Sequence, residues 1–425
     1  MQTCDVAIIG IGIKLPKCNN QEDFWNILIN KQNCSVSLSE RFKKFDINYM
    51  ENDNYVASLV EDMEWDNFDS NQFNLDSNIV SFLDPQLKQL LVCASNAIND
   101  ANLNKEIKGS KTSCYIGSTS NEYQSFLRIN KKLNYIVGSS SYSLSNMISY
   151  VFDLRGSSIT INSACSSSLN CISLGYDSIV NGNSELSICG ASNYIFDPEY
   201  HKSYIGMGVI SKNHESRSYN ENAHGFVRGE GTGIVILKKL EHAIRDKNKI
   251  YSVIKGANSN SDGALNKAKL VFPSKESQRD NILKALLKSN LSPNQIDYFE
   301  ANAPGLSFLD HVESEAISMV FDSNNQNNRT SPLLFGTYKP NMGHLEGASG
   351  IGGIIKCCLI FKYKCFPPTL TFEGNMNPNI KLFHDESKFK LVTEKTNFNK
   401  ENVNIVLNNF GATGSNGCVV LSNYN

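Results

Sequence analysis

A cysteine between a β-branched run and a helical pattern is the residue best suited to covalent chemistry. Residues 158–162 predict a short strand, and small residues lead from it into Cys165, where we expect a helix to begin. A thiol at a helix N-terminus lies near unpaired N–H groups and the positive end of the helix dipole. This environment can lower a thiol pKa from about 8.5 to about 3.5–7.5, which predicts a thiolate nucleophile. The Cys165 N–H could also point at a thioester oxyanion. The alternative is a structural cysteine in a serine-rich helix cap.

A second segment, residues 336–350, places Lys339, His344 and Glu346 in a glycine-framed turn before a helix of small residues. An imidazole there could donate to a thioester or carboxylate oxygen, and a nearby lysine could position it. The alternatives are a histidine that only packs and a lysine that is only a solvated charge.

Two further segments are rich in glycine. Residues 408–417 combine a strand, Phe410 and a turn, which suits backbone N–H groups that approach a ligand, although a plain β-turn has the same pattern. Residues 225–233 have the spacing of a dinucleotide loop. Because a strand pattern and not a helix follows them, we do not expect nucleotide binding.

The elements around these segments alternate between strands and helices, which predicts an α/β fold with buried parallel sheets. The order restarts near residue 250. We therefore predict two α/β halves, residues 1–255 and 256–425, packed into one body. The strands are expected within residues 6–10, 113–117, 158–162, 186–189, 233–237, 252–255, 297–301 and 403–408. The helices are expected at residues 85–103, 166–182, 277–289 with Ser277 as N-cap, 292–295 and 348–362.

Composition excludes several classes of protein. The 425 residues carry a net charge of -2, which argues against nucleic-acid binding, and no apolar run reaches the ~20 residues that cross a bilayer. The 12 cysteines are scattered without metal-ligand or disulfide spacing, so we expect reduced thiols, no metal site and a cytoplasmic protein. The asparagine run at residues 324–328 predicts a solvated loop tip.

Taken together, the chain resembles the ketosynthase domain of a type I polyketide synthase, in the β-ketoacyl synthase branch of the thiolase-like superfamily. Six segments in the same order carry the resemblance: residues 5–16, 84–86, 164–169, 225–233, 339–350 and 409–414.

The resemblance implies a five-layer αβαβα fold with two pseudo-symmetric halves, usually a homodimer. Cys165 matches the nucleophile that takes an acyl chain from phosphopantetheine on an acyl carrier protein, so the domain needs no cofactor of its own. The N–H groups of Cys165 and Phe410 would form the oxyanion hole, and Phe410 would act as a gate. His344 matches the histidine that assists decarboxylation of a malonyl-type extender. Lys339 and Glu346 match its supporting charged residues.

One departure from the family pattern concerns the chemistry directly. Asn302 stands where the family has a further histidine. An amide cannot titrate near neutral pH, and losing an acid–base group typically removes ~10²–10⁴ in rate. Further departures are Cys418 in place of a histidine, residues 162–163 in place of Asp-Thr, and the bulkier residues that follow Asn302.

Several functions remain open at this point. We favour a ketosynthase-type acyltransferase that loads Cys165 and condenses weakly or not at all. Slow condensation supported by His344 and Asn302 is the second possibility. A non-catalytic partner subunit is the third, although such partners typically lack the nucleophile. A thiolase or hydroxymethylglutaryl-type synthase fits the segment from Lys339 to His344 less well.

Overall fold

The computed structural model describes residues 4–44, 56–60, 68–129, 136–264, 270–322, 329 and 331–424. The strands are β1 (Val6–Lys14), β2 (Ser35–Ser37), β3 (Val56–Ser58), β4 (Thr112–Gly117), β5 (Ser158–Ile161), β6 (Leu186–Asn193), β7 (Arg228–Gly229), β8 (Gly231–Lys239), β9 (Ser252–Ser261), β10 (Tyr298–Glu300), β11 (Leu333–Gly336), β12 (Cys365–Phe366), β13 (Phe389–Leu391), β14 (Thr396–Asn397), β15 (Asn404–Phe410) and β16 (Ser415–Ser422). The helices are α1 (Gln21–Ile29), α2 (Ser39–Lys44), α3 (Ser77–Val80), α4 (Pro85–Asp100), α5 (Glu122–Ile129), α6 (Ile136–Ser139), α7 (Ser143–Val151), α8 (Ser167–Val180), α9 (Pro198–Gly206), α10 (Leu240–Arg245), α11 (Lys275–Ser289), α12 (Ser307–Phe321), α13 (Lys339–Met342) and α14 (Ser349–Tyr363).

The main sheet repeats one strand order twice. Its 11 strands run β13-β11-β10-β15-β16-β9-β1-β8-β6-β4-β5. From β1 outwards, the first, fifth, fourth, second and third strands of the first half lie side by side, and the second half has the same order from β9 over β16, β15, β10 and β11, with β13 added at the edge. The pairing directions also match, since two antiparallel pairs are followed by two parallel pairs in each half, and β13 adds a third parallel pair to the second half. The antiparallel pair of β1 and β9 joins the halves.

Helices cover both faces of each half-sheet, which gives five layers. Helix α4 packs on β1 and β8 on one outer side, and α11 packs on β9 and β16 on the other. Between the half-sheets, α8 contacts β4 and β6 as well as β9 and β16, while α14 contacts β8 and β15. The two central helices touch each other. The approach is close at Gly350, since a Cβ added there would lie 2.6 Å from Leu169 Cγ. The predicted α/β architecture is confirmed.

The predicted elements appear with shifted ends. Helix α11 begins at Lys275, and its N-cap is Ser274 and not Ser277, because Ser274 Oγ accepts the Ser277 N–H at 3.2 Å. The predicted boundary at residue 255 lies inside β9, and the division into residues 1–255 and 256–425 stays a prediction. The asparagine run at residues 324–328 lies outside the described residues.

The duplicated order places two corresponding segments at the centre. In each half the third strand leads to a central helix: β5 leads through Cys165 to α8, and β11 leads through His344 to α14. Since α8 and α14 pack together, their N-terminal approaches meet between the half-sheets. No helix within the described ranges combines the length and apolarity needed to cross a membrane.

Candidate active site

A strained turn presents the cysteine. Ala164 has φ +52°, a left-handed conformation that residues with a Cβ rarely adopt. Asn162 Oδ1 accepts the Ala164 N–H at 3.2 Å, and Ser167 Oγ accepts the Ser163 N–H at 2.9 Å. These bonds hold the turn between β5 and α8. Cys165 therefore lies two residues before the helix, which begins at Ser167 and not at the cysteine itself.

Cys165 as a whole residue is partly exposed, whereas its sulfur is surrounded by protein. Burial raises the pKa of Cys165 to about 12, and the Glu346 carboxylate acts in the same direction. Lys339 and the backbone N–H groups of Cys165 and Ala412 lower the pKa, but they do not offset burial. The expectation of a depressed thiol pKa is therefore wrong. Desolvation outweighs the local donors, and the resting residue is a neutral thiol.

The turn after β15 packs directly on the cysteine turn. A Cβ on Gly411 would lie 2.5 Å from Ser163 O and 3.2 Å from the Cys165 nitrogen, so only glycine permits this approach. The Gly411 N–H donates to Ser415 O at 2.8 Å. Because N–H directions alternate along a strand, the Phe410 N–H points away from β16. The Ala412 N–H donates to the Cys165 sulfur, a donor that sequence reasoning missed.

His344 is held as a neutral imidazole. Its Nδ1 accepts the Glu346 N–H at 3.1 Å and lies 2.6 Å from Ser349 Oγ. Since Nδ1 accepts an N–H, the ring proton is on Nε2. Burial, with help from the positive charges of Lys339 and Arg228, holds the pKa of His344 well below its usual range. His344 can therefore donate a hydrogen bond through Nε2 at neutral pH.

The amide of Asn302 is fixed by two donors. Asn302 Oδ1 accepts from Lys339 Nζ at 3.0 Å and from Asn409 Nδ2 at 2.7 Å, and Lys339 Nζ also donates to the Asn302 carbonyl. Burial lowers the pKa of Lys339 to about 8, while Glu313 and Glu300 oppose that shift. With the oxygen turned towards these donors, Nδ2 is the atom that Asn302 has left to offer a substrate.

A buried carboxylate supports the loop that carries Asn302. Glu313 of α12 accepts the N–H groups of Asn302 and Ala303, both at 2.9 Å, and the side chain of Asn408 at 2.9 Å. Ala303 has φ +26°, outside the conformations usual for alanine. The loop is thus anchored at its backbone, which fixes where residue 302 points.

Glu346 belongs to a buried ion-pair chain. Arg228 of β7 donates through Nε to Glu346 Oε1 at 2.6 Å and through Nη2 to Glu122 Oε1 at 2.5 Å, and the three side chains are at most 1 % exposed. The Tyr204 hydroxyl of α9 donates to Glu346 Oε2 at 3.1 Å. Charged groups this deep persist when they are paired and hydrogen-bonded, as here.

Comparison with known proteins identifies the architecture around this site. The family model for the Beta-ketoacyl synthase, N-terminal domain, matches residues 3–243, and that for the Beta-ketoacyl synthase, C-terminal domain, matches residues 251–373. The chain belongs to the β-ketoacyl synthase family. The ketosynthase is 43% identical over 429 residues to "Probable polyketide synthase 13" of Dictyostelium discoideum, covering 99% of this chain and 17% of that protein. It is also 43% identical to "Probable polyketide synthase 25" of the same organism, covering 99% of this chain and 18% of that protein.

The chain thus spans less than a fifth of the length of these curated relatives. Solved structures agree in fold. The ketosynthase from module 6 of the bacillaene synthase of Bacillus subtilis 168 superposes with a TM-score of 0.90 at 27% identity, covering 99% of this chain and 72% of that one. Ketosynthase twelve of the bacillaene synthase of Bacillus amyloliquefaciens has a TM-score of 0.86 at 28% identity, covering 99% and 75%. The predicted type I polyketide synthase ketosynthase, an acyltransferase of the β-ketoacyl synthase type with a thiolase-like fold, is confirmed.

The structure brings most of the predicted site residues of the ketosynthase together. Lys339 contacts Asn302 and, with Glu346, acts electrostatically on Cys165, while the Glu346 N–H contacts His344. Phe410 is buried next to Gly411, and its predicted roles as oxyanion donor and gate stay predictions. The catalytic roles of the other site residues stay predictions too.

Two predicted departures take different places. Asn162 bonds within the cysteine turn, whereas Cys418 is fully buried in the hydrophobic core of the second half, on β16 opposite Asn408. Sequence reasoning missed Arg228, Tyr204 and Asn409. Arg228 lies in the segment that resembled a dinucleotide loop, and an arginine within that glycine-rich segment was the signal available in the sequence. No cluster of acidic, histidine or cysteine side chains that could hold a metal occurs in the part of the chain that the structure describes.

Proposed function

We propose that this ketosynthase accepts acyl groups on Cys165 from a phosphopantetheine thioester of an acyl carrier protein, and that its condensation step is weak or lost. The observation that carries the proposal is the state of Asn302. Its Oδ1 lies between Lys339 and Asn409, so residue 302 can donate a hydrogen bond but cannot exchange a proton.

Acyl transfer needs a nucleophile, a place for the oxyanion and a route for one proton. The Cys165 sulfur attacks the thioester carbonyl, the carrier's thiolate leaves, and the thiol proton passes to that leaving sulfur. The N–H groups of Cys165 and Ala412 already converge on the sulfur. They are suited to stabilise charge that develops there, and the Phe410 N–H, which is directed away from β16, is the proposed second oxyanion donor.

Condensation asks more of the site. Loss of carbon dioxide from a malonyl-type extender leaves an enolate on the thioester oxygen, and donors must stabilise it. Neutral His344 supplies one donor through Nε2, and Asn302 Nδ2 supplies at most a second, uncharged one. An imidazole at position 302 could carry a proton and a positive charge, which the amide cannot. The rate of condensation is therefore expected to fall more than that of acyl loading.

Intact-protein mass spectrometry after incubation with an acyl carrier thioester tests the loading step. We expect one acyl adduct in the native chain and none in Cys165→Ala. Cys171 of α8 is a suitable matched control, since it is fully buried and Cys171→Ala should still load. Absence of any adduct would favour the non-catalytic partner subunit instead.

Decarboxylation of a malonyl carrier thioester, followed as release of carbon dioxide, tests the second step. We expect a low rate in the native chain and a gain in Asn302→His, because a histidine there can accept from Lys339 or Asn409 and can titrate. Asn302→Gln is the control, since it keeps an amide. Clear release of carbon dioxide by the native chain, with loading intact and no further gain in Asn302→His, would favour the alternative in which His344 and Asn302 together support slow condensation. No gain in Asn302→His would place the limit in the neighbouring changes.

The family's dimer and the cytoplasmic location belong to the same proposal. The resemblance to the ketosynthase family is what supports a homodimer, and sedimentation of the isolated chain would test it.

A further inference from the structure

The ion-pair chain around Glu346 has no role in the transfer chemistry above, although it touches the segment that carries His344. From its geometry we infer that Arg228 and Tyr204 are positioning residues for His344, which act through Glu346. The functional value of this positioning rests on the proposed function, whereas the positioning itself can be measured without any turnover.

The backbone conformation of Glu346 determines where its N–H points. Its φ is +48°, a left-handed conformation that is uncommon for a residue with a long side chain. In this conformation its N–H donates to His344 Nδ1 at 3.1 Å. That bond selects the tautomer with the proton on Nε2, so the orientation of one peptide unit decides which ring nitrogen can donate.

The side chain of Glu346 is held at both of its carboxylate oxygens. Both of its carboxylate oxygens are bound, Oε1 by Arg228 Nε at 2.6 Å and Oε2 by the Tyr204 hydroxyl at 3.1 Å. The Tyr204 ring also lies against the guanidinium, with 4.9 Å between the ring centroid and Cζ. Charge-assisted bonds of this kind are stronger than neutral ones, so they can stabilise an otherwise unfavourable backbone conformation.

Arg228 is itself fixed, and its two neighbours in sequence hold the main chain of His344. Its Nη2 is paired with Glu122, whose other oxygen accepts the N–H groups of Phe196 and Asp197. On either side of Arg228, the His344 N–H donates to Val227 O at 2.7 Å and the Gly229 N–H donates to His344 O at 2.8 Å. The two neighbours of Arg228 in sequence thus anchor the peptide of His344, and Arg228 itself anchors the side chain that sets its ring.

The positive charges near the imidazole also favour its neutral form. The titratable and charged groups near it are Arg228 of β7, Lys339 of α13, Glu346 itself, Glu122 of α5, Tyr204 of α9 and Cys165. Burial first, and then Lys339 and Arg228, lower the pKa of His344. Removing the Arg228 charge should therefore raise the pKa of His344 as well as loosen its ring.

Nitrogen NMR of the chain labelled in its 7 histidines measures this directly, with His344→Gln identifying the signals of His344. In the native protein we expect a neutral ring with its proton on Nε2 from pH 6 to 8. In Tyr204→Phe, which keeps the ring and the ion pair, we expect a mixture of the two tautomers. In Arg228→Met we expect the same mixture and a pKa of His344 that is higher than in the native chain.

Arg41→Met is the matched control, because Arg41 forms a comparable buried ion pair with Glu230 at 2.5 Å on a different carboxylate. It should destabilise the fold yet leave the His344 signals unchanged. If Arg228→Met does not fold, Tyr204→Phe decides the question. Unchanged His344 signals in Tyr204→Phe, or in a folded Arg228→Met, would refute the inference.

Acyl loading measured on the same variants separates this inference from the proposed function. A tautomer shift with acyl loading retained and the release of carbon dioxide from a malonyl carrier thioester about tenfold lower supports both, since a positioned proton donor typically contributes ~10²–10⁴ in rate. A tautomer shift in a chain whose native form never loads an acyl group would support the positioning and refute the proposed function.

Discussion

Replacing Gly411 by alanine should push the turn after β15 away from the cysteine turn. The new Cβ would lie 2.5 Å from Ser163 O, whereas an ordinary C···O contact is about 3.3–3.6 Å, so one backbone must retreat by about 1 Å. Gly411 has no positive φ, so alanine fits its backbone conformation and only the contact opposes the change. The N–H of Ala412, one residue on, would then lose its bond to the Cys165 sulfur.

The size of the effect follows from the displacement beside the nucleophile. A misplacement of about 1 Å near a reacting group can cost about 10² in rate. We therefore expect the rate of Cys165 acylation to fall by about 10² in Gly411→Ala. Overpacking should also lower the free energy of unfolding by about 1–3 kcal/mol.

The assay is the time course of Cys165 acylation by a soluble pantetheine thioester, followed by intact-protein mass spectrometry. Gly206→Ala is the matched control, since Gly206 ends α9 without a positive φ and a Cβ there meets no atom within 4 Å. It should load at the native rate. A Gly411→Ala rate within about twofold of the native one, in a folded protein, would refute the assignment of the Ala412 N–H to the nucleophile.

Three other perturbations have outcomes that follow from the contacts. Because burial raises the pKa of Cys165 to about 12, its alkylation by iodoacetamide should accelerate about tenfold per pH unit between pH 7 and 10, and a plateau below pH 8 would contradict this. Lys356→Met leaves the buried Glu300 carboxylate without its 2.6 Å ion pair and should lower the free energy of unfolding in urea by about 3–5 kcal/mol. The loss should be smaller at acid pH, where the Glu300 carboxyl takes up a proton. An equal loss at both pH values would contradict the explanation. Gly350→Ala pushes on Leu169 where the central helices touch and should cost about 1–3 kcal/mol, so an unchanged thermal midpoint would count against that contact.

Local patterns were sufficient for the elements that carry the site. The β-branched run before Cys165 forms β5, and the helical spacing after it forms α8, because both patterns depend on near neighbours in sequence. The resemblance to ketosynthases added the partners His344 and Lys339. The repeated strand order of the two halves was not visible as a sequence repeat, because pairing depends on long-range contacts that different residues can satisfy.

The electrostatics of the site could not be predicted in the same way. The rule for a thiol at a helix N-terminus gave the wrong direction for the pKa of Cys165, since it counts donors but not the surrounding protein, and desolvation is the larger effect. Arg228 and Glu346 are separated by 118 positions in sequence, and no local pattern indicates that they pair. Buried polar partners of this kind become apparent only when the fold brings them together.

The charge state of the resting site also explains why an amide fits at position 302. Lys339 donates to the carbonyl and the Oδ1 of Asn302, so the amide satisfies a buried ammonium without adding a charge of its own. A protonated imidazole at that position would stand next to Lys339 and raise the cost of burying both. The amide therefore avoids that repulsion and adds no titratable group. In the proposed acyl transfer, the proton of the Cys165 thiol passes to the leaving thiolate, and no proton exchange at position 302 is needed.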